Sequence, residues 1–63
     1  MVEEPEIGSR WRHLKRGATY IVEGSCVIEA LLVTGVIYKS EADGTVWVRP
    51  LSEFVDGRFE QIH

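Results

Sequence analysis

Turn-forming residues divide this chain into short runs, and no run is long enough for a helix of ordinary length. The Asp-Gly pair at 43–44 is typical of a tight β-hairpin, a second Asp-Gly pair lies at 56–57, and Gly17 closes another polar turn at 15–17. The runs 19–22, 32–39 and 45–49 are rich in β-branched and aromatic residues. The pattern predicts an all-β fold, a small SH3-like, partly open barrel of about five strands.

Local patterns predict how the strands run. Residues 10–14 alternate, which places Trp11 and His13 on one face and two arginines on the other. Gly24 predicts a bulge in the second strand, which then continues through 25–28. We expect the run 32–39 to be a strand buried on both faces. Residues 51–54 suggest one turn of 3₁₀ helix, and residues 58–62 a final edge strand.

The length of 63 residues fits one domain and gives it a thin core. A chain of this size buries about 60% of its unfolded surface, so a second subunit would add stability, and a homodimer is a further expectation. Residues 1–8 are acidic and without periodicity, which predicts a flexible N-terminal tail. Residues 9–63 are then the single barrel domain.

The sequence predicts a cytoplasmic protein. Its one cysteine, Cys26, has no partner within the chain, which suits a reducing compartment. The acidic N-terminus does not resemble a signal peptide. The longest apolar run, 30–38, is far shorter than the ~20 residues that a membrane-spanning helix needs, so no membrane partner is expected.

Catalysis has little support in the residue types. Cys26 and His13 could be imagined as nucleophile and base, but a lone thiol in a strand is usually a small core residue. Two histidines and one cysteine do not form a metal-ligand pattern, and the sequence has no glycine-rich phosphate loop. We expect no enzymatic activity, no metal and no cofactor.

Basic and aromatic residues give the strongest candidate site. The net charge of −3 argues against a general nucleic-acid binder, yet basic residues are concentrated in 10–16. Arginine forks bind phosphate or carboxylate, and exposed aromatic rings stack on bases. The predicted ligand-binding residues are Arg10, Arg12, His13, Lys15, Trp47 and Arg49.

The alternative is that the aromatic residues form the core. In a domain this small, aromatic rings provide most of the available burial, so this interpretation is favoured for Trp11, Tyr38, Trp47 and Phe59. The other interpretation is a groove with arginines at its rim, lined by Trp11, Tyr20, Tyr38 and Trp47. His13 is similarly more typical of a structural histidine than of a ligand. The core interpretation predicts that Trp47→Ala unfolds the domain and that Arg49→Ala does not.

Several motifs resemble the small bacterial and phage domain of unknown function called DUF1653. They cover residues 10–59 and comprise Trp11-Arg12-His13-Leu14-Lys15, Tyr20-Ile21-Val22, Val36-Ile37-Tyr38-Lys39, Val46-Trp47-Val48-Arg49-Pro50, Phe54 and Arg58-Phe59. The resemblance implies an SH3-like barrel, a cytoplasmic setting and a plausible prophage origin, and it implies no reaction. The segment 26–31 is apolar here, whereas that family has a polar segment at this place.

Two functions remain open at this point. The first is a binding or interaction module that recognises an anionic ligand, such as a nucleotide or nucleic acid, or a protein partner through a basic-aromatic face. The alternative is a phage- or prophage-derived structural or inhibitory interaction protein that acts as a homo-oligomer. Exposed edge strands and the apolar run 30–38 motivate it.

Overall fold

Five antiparallel strands form one sheet in a computed structural model that describes residues 4–63. The elements are β1 (Arg10–His13), β2 (Thr19–Ile28), β3 (Val33–Ser40), β4 (Val46–Pro50), a one-turn helix α1 (Leu51–Phe54) and β5 (Phe59–Ile62). The strand order is β4-β3-β2-β1-β5, so β4 and β5 are the two edges and the sheet does not close. The predicted all-β, partly open barrel of five strands is confirmed.

The turns lie where the glycines predict them. Gly17 and Gly44 close two hairpins of the same design and have φ values of +75°, a left-handed conformation that costs a glycine little. In each hairpin the glycine N–H donates to the carbonyl of the last strand residue, His13 or Ser40. The predicted bulge is also present, as a register shift between Val22 and Gly24.

One face of the sheet carries the core, and α1 covers it. Phe54 of α1 is fully buried, and its ring stacks on that of Phe59, with centroids 4.4 Å apart. Trp11 meets Phe54 edge-on at 5.1 Å, and Tyr38 lies 5.4 Å from it. The buried residues are Tyr20, Val22, Val36, Tyr38, Phe54 and Phe59. The short helix is therefore held by aromatic packing rather than by its own hydrogen bonds.

Two local predictions were wrong. Strand β3 is not buried on both faces, since Val33, Thr34 and Lys39 are exposed. Within the described part of the chain, no second layer covers the outer side of the sheet, and the far end of the β2–β3 hairpin extends beyond the core. Residues 51–54 form an α-helical turn rather than a 3₁₀ turn, because Val55 N–H donates to the Leu51 carbonyl at 3.1 Å.

The predicted N-terminal tail lies partly outside the described residues, which begin at Glu4. Within 4–8, the segment ends in a turn, where Gly8 N–H donates to the carbonyl of Val22 at 2.7 Å and Ser9 N–H to that of Glu6 at 3.0 Å. Residues 8 and 9 thus extend the contact between β1 and β2. None of the helices in residues 4–63 has the length and apolarity to cross a membrane.

Candidate functional site

A basic cleft opens at one end of the sheet, beside the buried ring of Phe59. Its volume is about 650 Å³, and its lining residues are His13, Leu14, Lys15, Arg16, Arg49 and Arg58. We call this the basic cleft. Four of the six lining side chains are lysine or arginine. In a protein with a net charge of −3, this concentration of positive charge makes the cleft the candidate binding site.

Three separate parts of the chain form the basic cleft. The end of β1 and its turn contribute His13, Lys15 and Arg16, while β4 contributes Arg49. Leu14 N–H donates to the carbonyl of Arg58 at 3.0 Å, which holds the loop before β5 against the β1–β2 turn. Register adds to this arrangement, since His13 pairs with Phe59 across β1 and β5.

Arg49 is more buried than Arg58, the other ion-paired arginine of the cleft, with side-chain exposures of 25% and 49%. Its Nε donates to the hydroxyl of Tyr38 at 3.3 Å, and its guanidinium carbon lies 5.5 Å from the centroid of the Phe59 ring. The hydrogen bond to Tyr38 is the main cause that raises the pKa of Arg49. A cation over an aromatic ring is attracted to the ring face, so Arg49 is fixed before any ligand arrives.

Two carboxylates partly neutralise the arginines. Glu53 lies 3.2 Å from Arg58 and 3.8 Å from Arg49, and Asp56 lies 3.0 Å from Arg58. Within residues 4–63, Lys15 and Arg16 form no ion pair. Four cations against two carboxylates leave the basic cleft with an excess of positive charge.

His13 lies among these cations as a neutral hydrogen-bonding group. Its Nδ1 accepts from the backbone N–H of Arg16 at 3.2 Å, so the neutral ring carries its proton on Nε2. The ring meets Phe59 edge-on at 4.9 Å. Burial lowers the pKa of His13 from its ordinary 6.5, and Arg49, Arg16, Arg58 and Lys15 lower it further by repulsion.

The pKa of His13 is expected to rise when an anion occupies the basic cleft. Without an anion, the folded state disfavours the protonated ring, so the stability that His13 contributes is present above pH 6.5 and falls as the pH drops through its folded pKa. Sulfate would offset the repulsion from the cations and favour protonation. NMR titration of the His13 ring, with and without sulfate, measures this shift, and His13→Gln identifies the signal. An unchanged pKa at saturating sulfate would contradict the expectation.

The structure divides the predicted binding residues between two faces of the sheet. His13, Lys15 and Arg49 line the basic cleft, while Arg10 and Arg12 alternate onto the opposite face. Arg10 Nε donates to Glu41 at 2.6 Å, a bond that lowers the pKa of Glu41. The single basic face expected from these six residues is therefore not formed, because neighbouring strand residues point to opposite sides.

The predicted aromatic groove is not formed either. Tyr20 and Tyr38 are buried, and Trp11 packs against Phe54. Trp47 is 47% exposed on the core side of the edge strand β4, where it pairs with Tyr38, and it does not line the basic cleft. The core interpretation is thus correct for Tyr38 and Phe59, partly correct for Trp11 and wrong for Trp47.

Two residues of the cleft, Arg16 and Arg58, are not among the six predicted ligand-binding residues. The sequence carried a signal for both, because each is directly adjacent to a turn glycine, Arg16 to Gly17 and Arg58 to Gly57. A turn places side chains at the end of a sheet, where several strands contribute to one surface. No signal in the sequence indicated that these two turns lie side by side.

The described residues contain no cluster of three or more His, Cys, Asp or Glu side chains that could hold a metal ion. Cys26 is partly buried on β2, away from the basic cleft. No family model, curated protein or solved structure matches the chain. The resemblance to the DUF1653 domain consequently stays a prediction from the motifs.

Proposed function

We propose that this domain is a binding module that holds the anionic group of a ligand in the basic cleft. The observation that carries the proposal is the convergence of Lys15, Arg16, Arg49 and Arg58 around His13. These side chains present charged donors from three parts of the chain to one volume. Arginine and lysine donors in such a concave, partly desolvated place favour an oxyanion.

Phosphate is the group that fits the cleft best. Within residues 4–63, no phenylalanine, tyrosine or tryptophan lines the cleft, and the Phe59 ring beside it is 6% exposed, so Phe59 offers no open face on which a base could stack. Recognition then depends on charge and on donor geometry, with the forked guanidinium groups of Arg49 and Arg58 and the Nε2–H of His13. The ligand would be a phosphate of a nucleotide or of a nucleic-acid backbone, bound without contacts to the bases.

A salt titration with a labelled, short, mixed-sequence single-stranded oligonucleotide tests the proposal. We expect the fluorescence anisotropy to report binding, with a logarithm of the association constant that falls linearly with the logarithm of the salt concentration. For one or two contacted phosphates of a single strand the slope is roughly −0.7 to −1.4. Inorganic phosphate or sulfate should compete for the site. Absent or salt-insensitive binding would overturn the proposal, and tighter binding of a poly-glutamate peptide of equal charge would assign the cleft to an acidic protein instead.

The alternative function, a homo-oligomeric interaction protein, is favoured by a different part of the molecule. Strand β4 is an exposed edge whose side chains include Val46, Trp47 and Val48. Exposed edges of this kind pair with other strands. A phage or prophage origin and an inhibitory role rest on the DUF1653 resemblance alone, and a cytoplasmic location rests on the single cysteine.

A further inference from the structure

Within residues 4–63, β4 pairs with β3 alone, so its outer edge presents backbone groups without a strand partner at alternate residues. Ser40 N–H donates to the Thr45 carbonyl at 2.8 Å, which makes this opposing pair a hydrogen-bonded one. Antiparallel ladders alternate, so the Tyr38–Trp47 pair is hydrogen-bonded as well and the backbone groups of Trp47 point to β3. The N–H and C=O groups of Val46 and Val48 then point away from the sheet.

The same edge is apolar and carries no charge at its centre. Val46, Trp47 and Val48 are 57%, 47% and 51% exposed, respectively. The valines lie on the outer face of the sheet and Trp47 on the core side, so both faces of the edge are apolar. Soluble proteins usually protect such edges with lysine, proline or a bulge, and β4 has none of these between Thr45 and Arg49.

We propose that β4 pairs antiparallel with β4 of a second copy of this chain, about a two-fold axis at Trp47. A second copy is favoured as the partner because the segment Val46-Trp47-Val48 reads the same in both directions. In that register Val46 lies opposite Val48 of the second copy, and these are the residues whose backbone groups point outward. The two symmetric pairs exchange four hydrogen bonds, and the two Trp47 side chains meet at the axis.

Charges around the axis are compatible with this pairing. Arg49 lies opposite Thr45 of the second copy, so no like charges face each other across the new ladder. The guanidinium group of Arg49 already contacts Tyr38 and Glu53 of its own chain. Pairing would join two five-stranded sheets into one of ten strands, with both basic clefts on the same side of it.

Two double variants that differ only in the sign of the charge at residue 48 test the proposal. Val46→Glu/Val48→Glu places two carboxylates opposite each other at both symmetric pairs, whereas Val46→Glu/Val48→Lys places opposite charges there. Both variants have a glutamate at residue 46, and its cross-strand neighbour within the same chain is Lys39. Light scattering over a concentration series measures the mass of each protein, and urea unfolding confirms that each one is folded.

We expect a dimer for the wild type and for Val46→Glu/Val48→Lys, and a monomer for Val46→Glu/Val48→Glu, with dimer dissociation constants at least about tenfold apart. A wild type that stays monomeric up to about 1 mM would overturn the proposal, because at that concentration only weak association escapes detection. The partner of the β4 edge would then be an extended segment of another protein. A dimer that survives in the double-glutamate variant, or that both variants abolish, would overturn the interface or its register. None of these outcomes depends on anion binding.

Discussion

Replacement of Phe54 by alanine is expected to leave the domain largely unfolded at room temperature. Phe54 is fully buried, stacks on Phe59 and is the main contact of α1 with the sheet. Truncation of a buried phenylalanine costs about 3–5 kcal/mol. A core of this size supplies only about 3–5 kcal/mol in total. The loss would therefore equal most of the free energy of unfolding.

Urea titration at low protein concentration, followed by far-UV circular dichroism and tryptophan fluorescence, measures this effect. The matched control is Trp47→Ala, which removes an aromatic ring that is about half exposed at the edge of the sheet. We expect Trp47→Ala to retain a cooperative transition and to lose about 1–2 kcal/mol, since only part of its surface is buried. The reverse ranking of the two variants would contradict the core described above and support the sequence-based expectation for Trp47.

Local signals predicted most of the fold. The Asp-Gly at 43–44 and the glycines at 17 and 24 specify backbone conformations within a few residues, and they placed two hairpins and the bulge correctly. β-Branched runs indicated the strands for the same reason. The length of the buried part of β3 could not be predicted, because burial depends on whether a second layer covers the sheet. In residues 4–63 no such layer covers the outer face.

The candidate site was harder to predict because its residues meet only through long-range pairing. Alternation within β1 already placed Arg10 and Arg12 on the face opposite His13, yet their closeness in sequence suggested one basic surface. Arg49 and Arg58 join the cleft through the β1–β5 contact and the helix between β4 and β5, and neither can be inferred from spacing. Trp47 is on the core side but exposed, since β4 is an edge strand.

Arg49→Gln is expected to weaken binding of the oligonucleotide probe by about tenfold or more, with a salt dependence reduced by roughly one contacted phosphate. Arg49 is held between the Tyr38 hydroxyl and the Phe59 ring, so its charge is placed without the entropy loss that a mobile side chain would incur. A hydrogen bond to a charged group contributes about 1.5–3 kcal/mol, which corresponds to about a tenfold change or more in Kd.

The matched control is Arg10→Gln, which removes the same charge from the opposite face of the sheet, where Arg10 pairs with Glu41. It changes the net charge equally, so a general electrostatic attraction would respond alike to both variants. Arg58→Gln serves as a second test, because Arg58 is exposed and its loss leaves the aromatic core intact. If Arg49→Gln and Arg58→Gln bind the probe as Arg10→Gln does, the basic cleft is not the binding site. If only the two cleft variants lose affinity while their urea transitions match the wild type, binding depends on where the positive charges lie and not on the net charge.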